Sequence, residues 1–199
     1  MSTGDAGKRP ARALCVYCAS SDRIAPGYFA AAAELGAAMA TRGYALVYGG
    51  AQVGLMGAVA RAVHAHGGYV IGVLPGLFQT KELAYELADE LIITRDLRER
   101  KAIMEAHADG FIGLPGGFGT LEEILEILTL KQIGLTAKPV VLLNTAGFYA
   151  PLDVLFEHIY EQQFAPTTSR ELYHLADDVP GAFAYLDSSP PPLPAGSEG

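Results

Sequence analysis

At 199 residues, half hydrophobic and 18% charged, the chain has the composition of one globular domain rather than of a disordered or fibrous protein. Its net charge of −8, with Lys and Arg in no basic tract, argues against nucleic acid as a partner, so an anionic ligand would need cations placed locally. No apolar run reaches the roughly 20 residues of a membrane helix, and the polar first ten residues read as neither signal peptide nor anchor.

Residues 1–10 read as a loose tail and Ala11–Cys18 as the first strand. Cys15 and Cys18 imitate a redox CxxC pair, but residues three apart in a strand face opposite sides of the sheet. Two buried thiols in a reducing cytoplasm are the expectation. Ala19-Ser20-Ser21-Asp22 brings small hydroxyl and acid side chains to the strand's carboxyl end. The alanine-rich segment Tyr28–Arg42 suits a helix ended near Gly43, and Tyr44–Tyr48 is a second strand. Gly49 to Gly57 forms a glycine-rich strand-to-helix turn whose helix runs to about His66. Tyr69–Leu74 and Leu91–Thr94 read as strands, separated by an irregular segment through Lys81-Glu82. Asp96–His107 is a helix with Asp96 as its cap, and Phe111–Leu114 is strand five. Beyond it come a helix from Thr120 to about Ile133, a strand at Pro139–Leu143 and a helix at Tyr149–Gln163. A last strand at Leu172–Ala176, a short helix at Val179–Leu186 and a disordered Pro/Ser-rich tail over 188–199 complete the chain.

Short apolar strands alternating with helices predict an α/β fold. We expect one Rossmann-like, doubly wound domain over residues 11–187, with a mostly parallel sheet and helices on both faces. Ligands of such sheets bind beyond the carboxyl ends of the strands, where Ser20, Gly49-Gly50, Pro75 and Leu114-Pro115-Gly116-Gly117-Phe118-Gly119-Thr120 lie. The last of these turns opens a helix, so its amides are bare and the positive end of the helix dipole stands beside them, as an anion or phosphate site requires. It is not the dinucleotide fingerprint, because Glu122 occupies the third glycine position and the following strand ends in Asn144 rather than an acid. A Walker lysine motif is absent, as is HExxH, and His64, His66 and His107 show no metal-ligand spacing. His64 and His66, near a helix end, read as surface residues.

Glu123 admits two readings. Thr120-Leu121-Glu122-Glu123 matches a capping box in which Thr120 caps and Glu123 reaches back to its amide. A cap alone, however, needs no glycine loop in front of it. In the preceding helix, Arg100 and Lys101 fall on the apolar stripe of Leu97, Met104 and Ala108. Inward cations are costly unless they meet an anion, whether Glu122, Glu123 or a ligand.

Arg100-Lys101 and the PGGxGTxxE motif from Pro115 to Glu123 together resemble the LOG (Lonely Guy) family of cytokinin riboside 5′-monophosphate phosphoribohydrolases. The resemblance extends through the Cys18–Ser21 loop and the Gly49–Gly57 turn, and covers about Leu14 to Leu186. Ala51 departs from it, standing where the family often has a third glycine. The resemblance implies a homodimer that cleaves the N-glycosidic bond of an adenine nucleotide monophosphate without metal or other cofactor. It implies Arg100 and Glu123 as catalytic, and Ser20, Glu82, Lys101, Gly116, Gly117, Phe118, Gly119, Thr120, Leu121, Glu122 and Thr129 as further substrate contacts. The family has also carried the label lysine decarboxylase, a reaction that needs a pyridoxal phosphate lysine for which no lysine here is placed. A nucleosidase for plain AMP and a non-catalytic nucleotide-binding module remain as rival readings.

Overall fold

The computed structural model describes residues 9–80 and 83–189, so the predicted tails lie largely outside the described residues. Seven strands form one sheet in the order β4-β3-β2-β1-β5-β6-β7, with every pairing parallel. They are β1 (Arg12–Tyr17), β2 (Tyr44–Tyr48), β3 (Val70–Pro75), β4 (Glu90–Thr94), β5 (Gly110–Gly113), β6 (Val140–Leu143) and β7 (His174–Ala176). The helices are α1 (Pro26–Thr41), α2 (Gly54–Ala65), α3 (Leu97–His107), α4 (Phe118–Gln132), α5 (Ala150–Glu161) and α6 (Val179–Ser188). The doubly wound α/β expectation holds, and the sheet is wholly parallel among the described strands.

Strand alternation builds two apolar layers. Leu14, Val16 and Cys18 face α1, α2 and α6, while Ala13, Cys15 and Tyr17 face α3, α4 and α5. Each fully buried Leu, Ile or Val in these layers contributes roughly 1.5–3 kcal/mol. Cys15 and Cys18 therefore lie on opposite faces, both free and buried, and burial pushes both thiols up from their ordinary range. No described helix is long and apolar enough to cross a membrane.

Two local expectations change. α4 begins at Phe118 with Gly117 as its N-cap and no side-chain cap, so Thr120 is not the cap. Glu123, sixth in the helix, is not the partner of a capping box. In α3, Asp96 does cap, accepting from the amides of Arg98 and Glu99 at 2.9 Å, but Leu97 is 51% exposed rather than part of the inward stripe. As the first residue of α3 it projects beyond the sheet into a cleft with Leu77 and Phe78, while Met104 and Ala108 are buried as expected.

Chain order reverses between β1 and β5, because β2, β3 and β4 extend the sheet to one side of β1 before β5 pairs on the other. Tyr17 pairs with Gly113 at this seam. The loops leaving the two strands diverge there and open a crevice at their carboxyl ends.

Candidate active site

The crevice holds a cavity of about 260 Å³ lined by Ser20, Gly49, Arg100, Gly117, Gly119, Thr120 and Glu123, among others. The glycine turn that borders it is fixed from below. Leu114 donates its amide to Tyr17 (2.9 Å), Ala19 donates to the Pro115 carbonyl (3.2 Å), and the buried Tyr149 hydroxyl donates to the Leu114 carbonyl (2.7 Å). Leu121 N–H bonds back to the Gly117 carbonyl at 3.0 Å, so Phe118, Gly119 and Thr120 contribute the first-turn amides for which an α-helix has no internal acceptor. Gly116 must be glycine, since a Cβ there would sit 2.1 Å from the hydroxyl oxygen of the buried Thr120.

Across the cavity α3 presents Arg100. Its Nη1 lies 3.2 Å from Glu123 Oε1, and its Nε donates to the Val73 carbonyl at 3.2 Å. The two side chains are 15% and 9% exposed. Gly49 leaves room for the guanidinium, because a Cβ at that position would meet Arg100 Nη2 at 2.1 Å. Burial pushes the Glu123 carboxyl up to about 7; Arg100 pulls the other way, and Glu122 reinforces the rise. Desolvation therefore outweighs the ion pair, and the carboxyl is poised to change charge near neutral pH. Beside this pair Lys101 bridges to Glu122 and, at 2.6 Å, to Glu126, which ties α3 to α4 a second time.

A second cavity of about 230 Å³ adjoins the first and shares Ser20, Gly49, Met56 and Arg100 with it. Its remaining lining is apolar: Ala51, Val53, Leu74, Pro75, Phe78 and Leu83. The departure at Ala51 thus falls on this wall.

Of the residues singled out from sequence, Ser20, Arg100, Gly117, Gly119, Thr120 and Glu123 meet around the first cavity. Gly116 underlies it, and Lys101 and Glu122 flank it as an ion pair. Phe118 is 92% exposed, and Leu121 is partly buried against the α3–α5 layer. Thr129 donates to the Leu125 carbonyl at 2.7 Å and lines a separate cleft between α4 and α5. Glu82 lies outside the described residues. Sequence reasoning missed Tyr17, Met56, Val53, Leu74, Phe78 and Leu83 as cavity walls. The strand ends at Tyr17 and Leu74 and the Gly49–Gly57 turn that holds Val53 and Met56 hinted at it, while nothing marked Phe78 or Leu83. His64, read as a surface residue, is instead hydrogen-bonded at both ring nitrogens, whereas His66 is exposed.

A family model described as "Possible lysine decarboxylase" matches residues 56–186. A probable cytokinin riboside 5′-monophosphate phosphoribohydrolase of Oryza sativa subsp. japonica is 43% identical, over 87% of this chain and 75% of that protein. A cytokinin riboside 5′-monophosphate phosphoribohydrolase of Arabidopsis thaliana is 44% identical, over 81% of this chain and 75% of its own length. Among solved structures, the molybdenum cofactor carrier protein of Chlamydomonas reinhardtii superposes with a TM-score of 0.68 and 28% identity, covering 88% of this chain and 96% of that one. By this match along most of its length, the chain belongs to the LOG family, that of the cytokinin riboside 5′-monophosphate phosphoribohydrolases.

Proposed function

We propose that the chain hydrolyses the N-glycosidic bond of adenosine 5′-monophosphates carrying an N6 substituent, releasing the free cytokinin base and ribose 5-phosphate. The observation that carries this reading is the buried Arg100–Glu123 pair facing the first-turn amides of α4 across one cavity. The amides of Phe118, Gly119 and Thr120, with the helix dipole, suit a dianionic 5′-phosphate. Anchoring that remote group lets its binding energy hold C1′ near Glu123.

In the reaction the C1′–N9 bond breaks and its electron pair leaves with the purine, which takes up a proton from solvent to become the free base. The ribose passes through an oxocarbenium-like state, and water oxygen bonds to C1′ while giving up a proton. An ionised Glu123 stabilises the developing positive charge and accepts the water proton. Arg100 offsets the negative charge gathering on the departing base, an effect worth several kcal/mol in a shielded site. The apolar second cavity favours a base with an apolar N6 group over plain AMP. Chromatography of a reaction with isopentenyl-AMP tests this reading: free isopentenyladenine with equimolar ribose 5-phosphate supports it. Tight binding without turnover supports a carrier module instead.

The catalytic unit in this reading is the domain over residues 11–187, working in the reducing cytoplasm that suits two free cysteines. It works as a homodimer. α4, α5 and the segments that follow them expose Leu125, Ile133, Leu155 and Phe164, apolar side chains of the kind that a second copy covers. Light scattering should give twice the chain mass of 21.0 kDa. A chain trimmed to residues 11–187 should retain its turnover.

A further inference from the structure

α2 turns His64 inward, leaving its side chain 23% exposed and stacked on Tyr85 with ring centroids 5.5 Å apart. Nδ1 lies 2.9 Å from the Tyr85 hydroxyl and Nε2 lies 3.0 Å from Asp89 Oδ2. A carboxylate oxygen only accepts, so Nε2 carries a hydrogen and donates to Asp89. In the tautomer with its hydrogen on Nε2, Nδ1 accepts the hydrogen bond that the Tyr85 hydroxyl donates. Asp89 also accepts from the Val70 amide at 2.8 Å, which ties the chain of bonds to the start of β3.

At the other end, Tyr85 belongs to a segment fastened by its backbone to the second glycine turn. Gln52 donates to the Leu83 carbonyl at 2.8 Å and Tyr85 donates to the Gly50 carbonyl at 2.9 Å. Between these bonds Ala51 forms a bridge with Ala84. Leu83 and Ala51 both line the apolar cavity, and Tyr85 is only 5% exposed. His64 lines neither that cavity nor the one holding Arg100 and Glu123. These backbone bonds pair the segment with the turn, and the Tyr85–His64 contact is the side-chain anchor that ties the paired segment to α2.

We infer that His64, oriented by Asp89, is a specificity-determining positioning residue. By anchoring Tyr85 it sets where Leu83 stands against Ala51, and so how wide the apolar cavity is for the substituent on the base. The inference rests on the nucleotide reading above and concerns the base end alone.

The test uses the full chain as wild type, His64→Leu, His64→Asn and Tyr85→Phe, with kcat and KM measured for AMP and isopentenyl-AMP. His64→Leu and Tyr85→Phe should raise KM for isopentenyl-AMP about fivefold or more, while KM for AMP and kcat on both move less than twofold. His64→Asn, which keeps an acceptor near the place of Nδ1, should restore most of the loss. Equal changes on both nucleotides, or none on either, overturn the inference. Tyr85→Phe removes a single oxygen, so it decides the matter even where His64→Leu fails to fold. A wild type that turns over neither nucleotide contradicts the hydrolase reading alone. The dissociation constants of the same two nucleotides, measured by calorimetry, must then show the same selective loss or the positioning role falls.

Discussion

Glu123 Oε1 lies 3.2 Å from Arg100 Nη1, yet its carboxyl is pushed up to about 7 rather than drawn down by the cation. Burial is the larger effect: with 9% of its side chain exposed, Glu123 has lost most of the water that would stabilise its charge. The guanidinium recovers only part of that loss. The functional consequences follow from this balance.

The first concerns rate against pH. If ionised Glu123 carries the reaction, kcat/KM should rise about tenfold per pH unit below its ionisation and level off above a midpoint near 7. The substrate phosphate titrates separately near 6, which a full profile resolves as a second limb. A profile flat between pH 6 and 8 tells against Glu123 as the ionising group.

Stability should move the opposite way. Between its ordinary value of 4.5 and about 7 the folded carboxyl holds its proton when the unfolded one has lost it. Stability from this group is thus fully present below pH 4.5 and lost as pH rises through about 7. The loss is roughly 3 kcal/mol in all. Glu123→Gln, which mimics the protonated form, should therefore melt several degrees higher than wild type at pH 8 and close to it at pH 4.5, while losing at least a hundredfold in kcat. A lower melting temperature at pH 8 would mean that the attraction to Arg100 outweighs the cost of burying the charge.

Arg100→Ala should cost two or more orders of magnitude in kcat/KM. Arg100→Lys should recover little, because one ammonium cannot both donate to Val73 from the position of Nε and reach Glu123 with a second donor. Wild-type rates in either variant remove Arg100 from the mechanism.

Glycines of one turn should respond differently. A Cβ at Gly119 meets nothing within 4 Å, so Gly119→Ala should fold as well as wild type while its methyl group intrudes on the amide nest and raises KM about tenfold or more. Gly116→Ala forces a carbon against Thr120 and should lower the melting temperature by several degrees. Identical behaviour of the two variants would contradict the placement of the anion site over Gly119.

Much of this arrangement is legible in the residues themselves. The strands are continuous apolar runs such as Tyr44–Tyr48, and buried parallel strands carry little else. The glycine turn and the inward Arg100 announce themselves by residue type. What misleads is local chemistry with two solutions: Thr120 and Glu123 have the spacing of a capping box, but a helix that begins two residues earlier at Phe118 redirects both into the cavity. Leu97 fits the helical period of the core yet sits in the first turn, beyond the sheet it would pack on. The apolar cavity is invisible in the sequence because Val53, Leu74, Phe78 and Leu83 come from separate segments that only the fold brings together. His64 reads as a surface residue for the same reason, since Tyr85 and Asp89 lie more than twenty residues away along the chain.

The most direct test is a single-turnover incubation of excess protein with isopentenyl-AMP at pH 8, with the products separated by chromatography, in wild type and Glu123→Gln. Wild type should convert the nucleotide to equal amounts of isopentenyladenine and ribose 5-phosphate. Glu123→Gln should still bind the nucleotide and leave it whole. Intact nucleotide recovered from wild type, or free base released at the same rate by both proteins, would contradict the account.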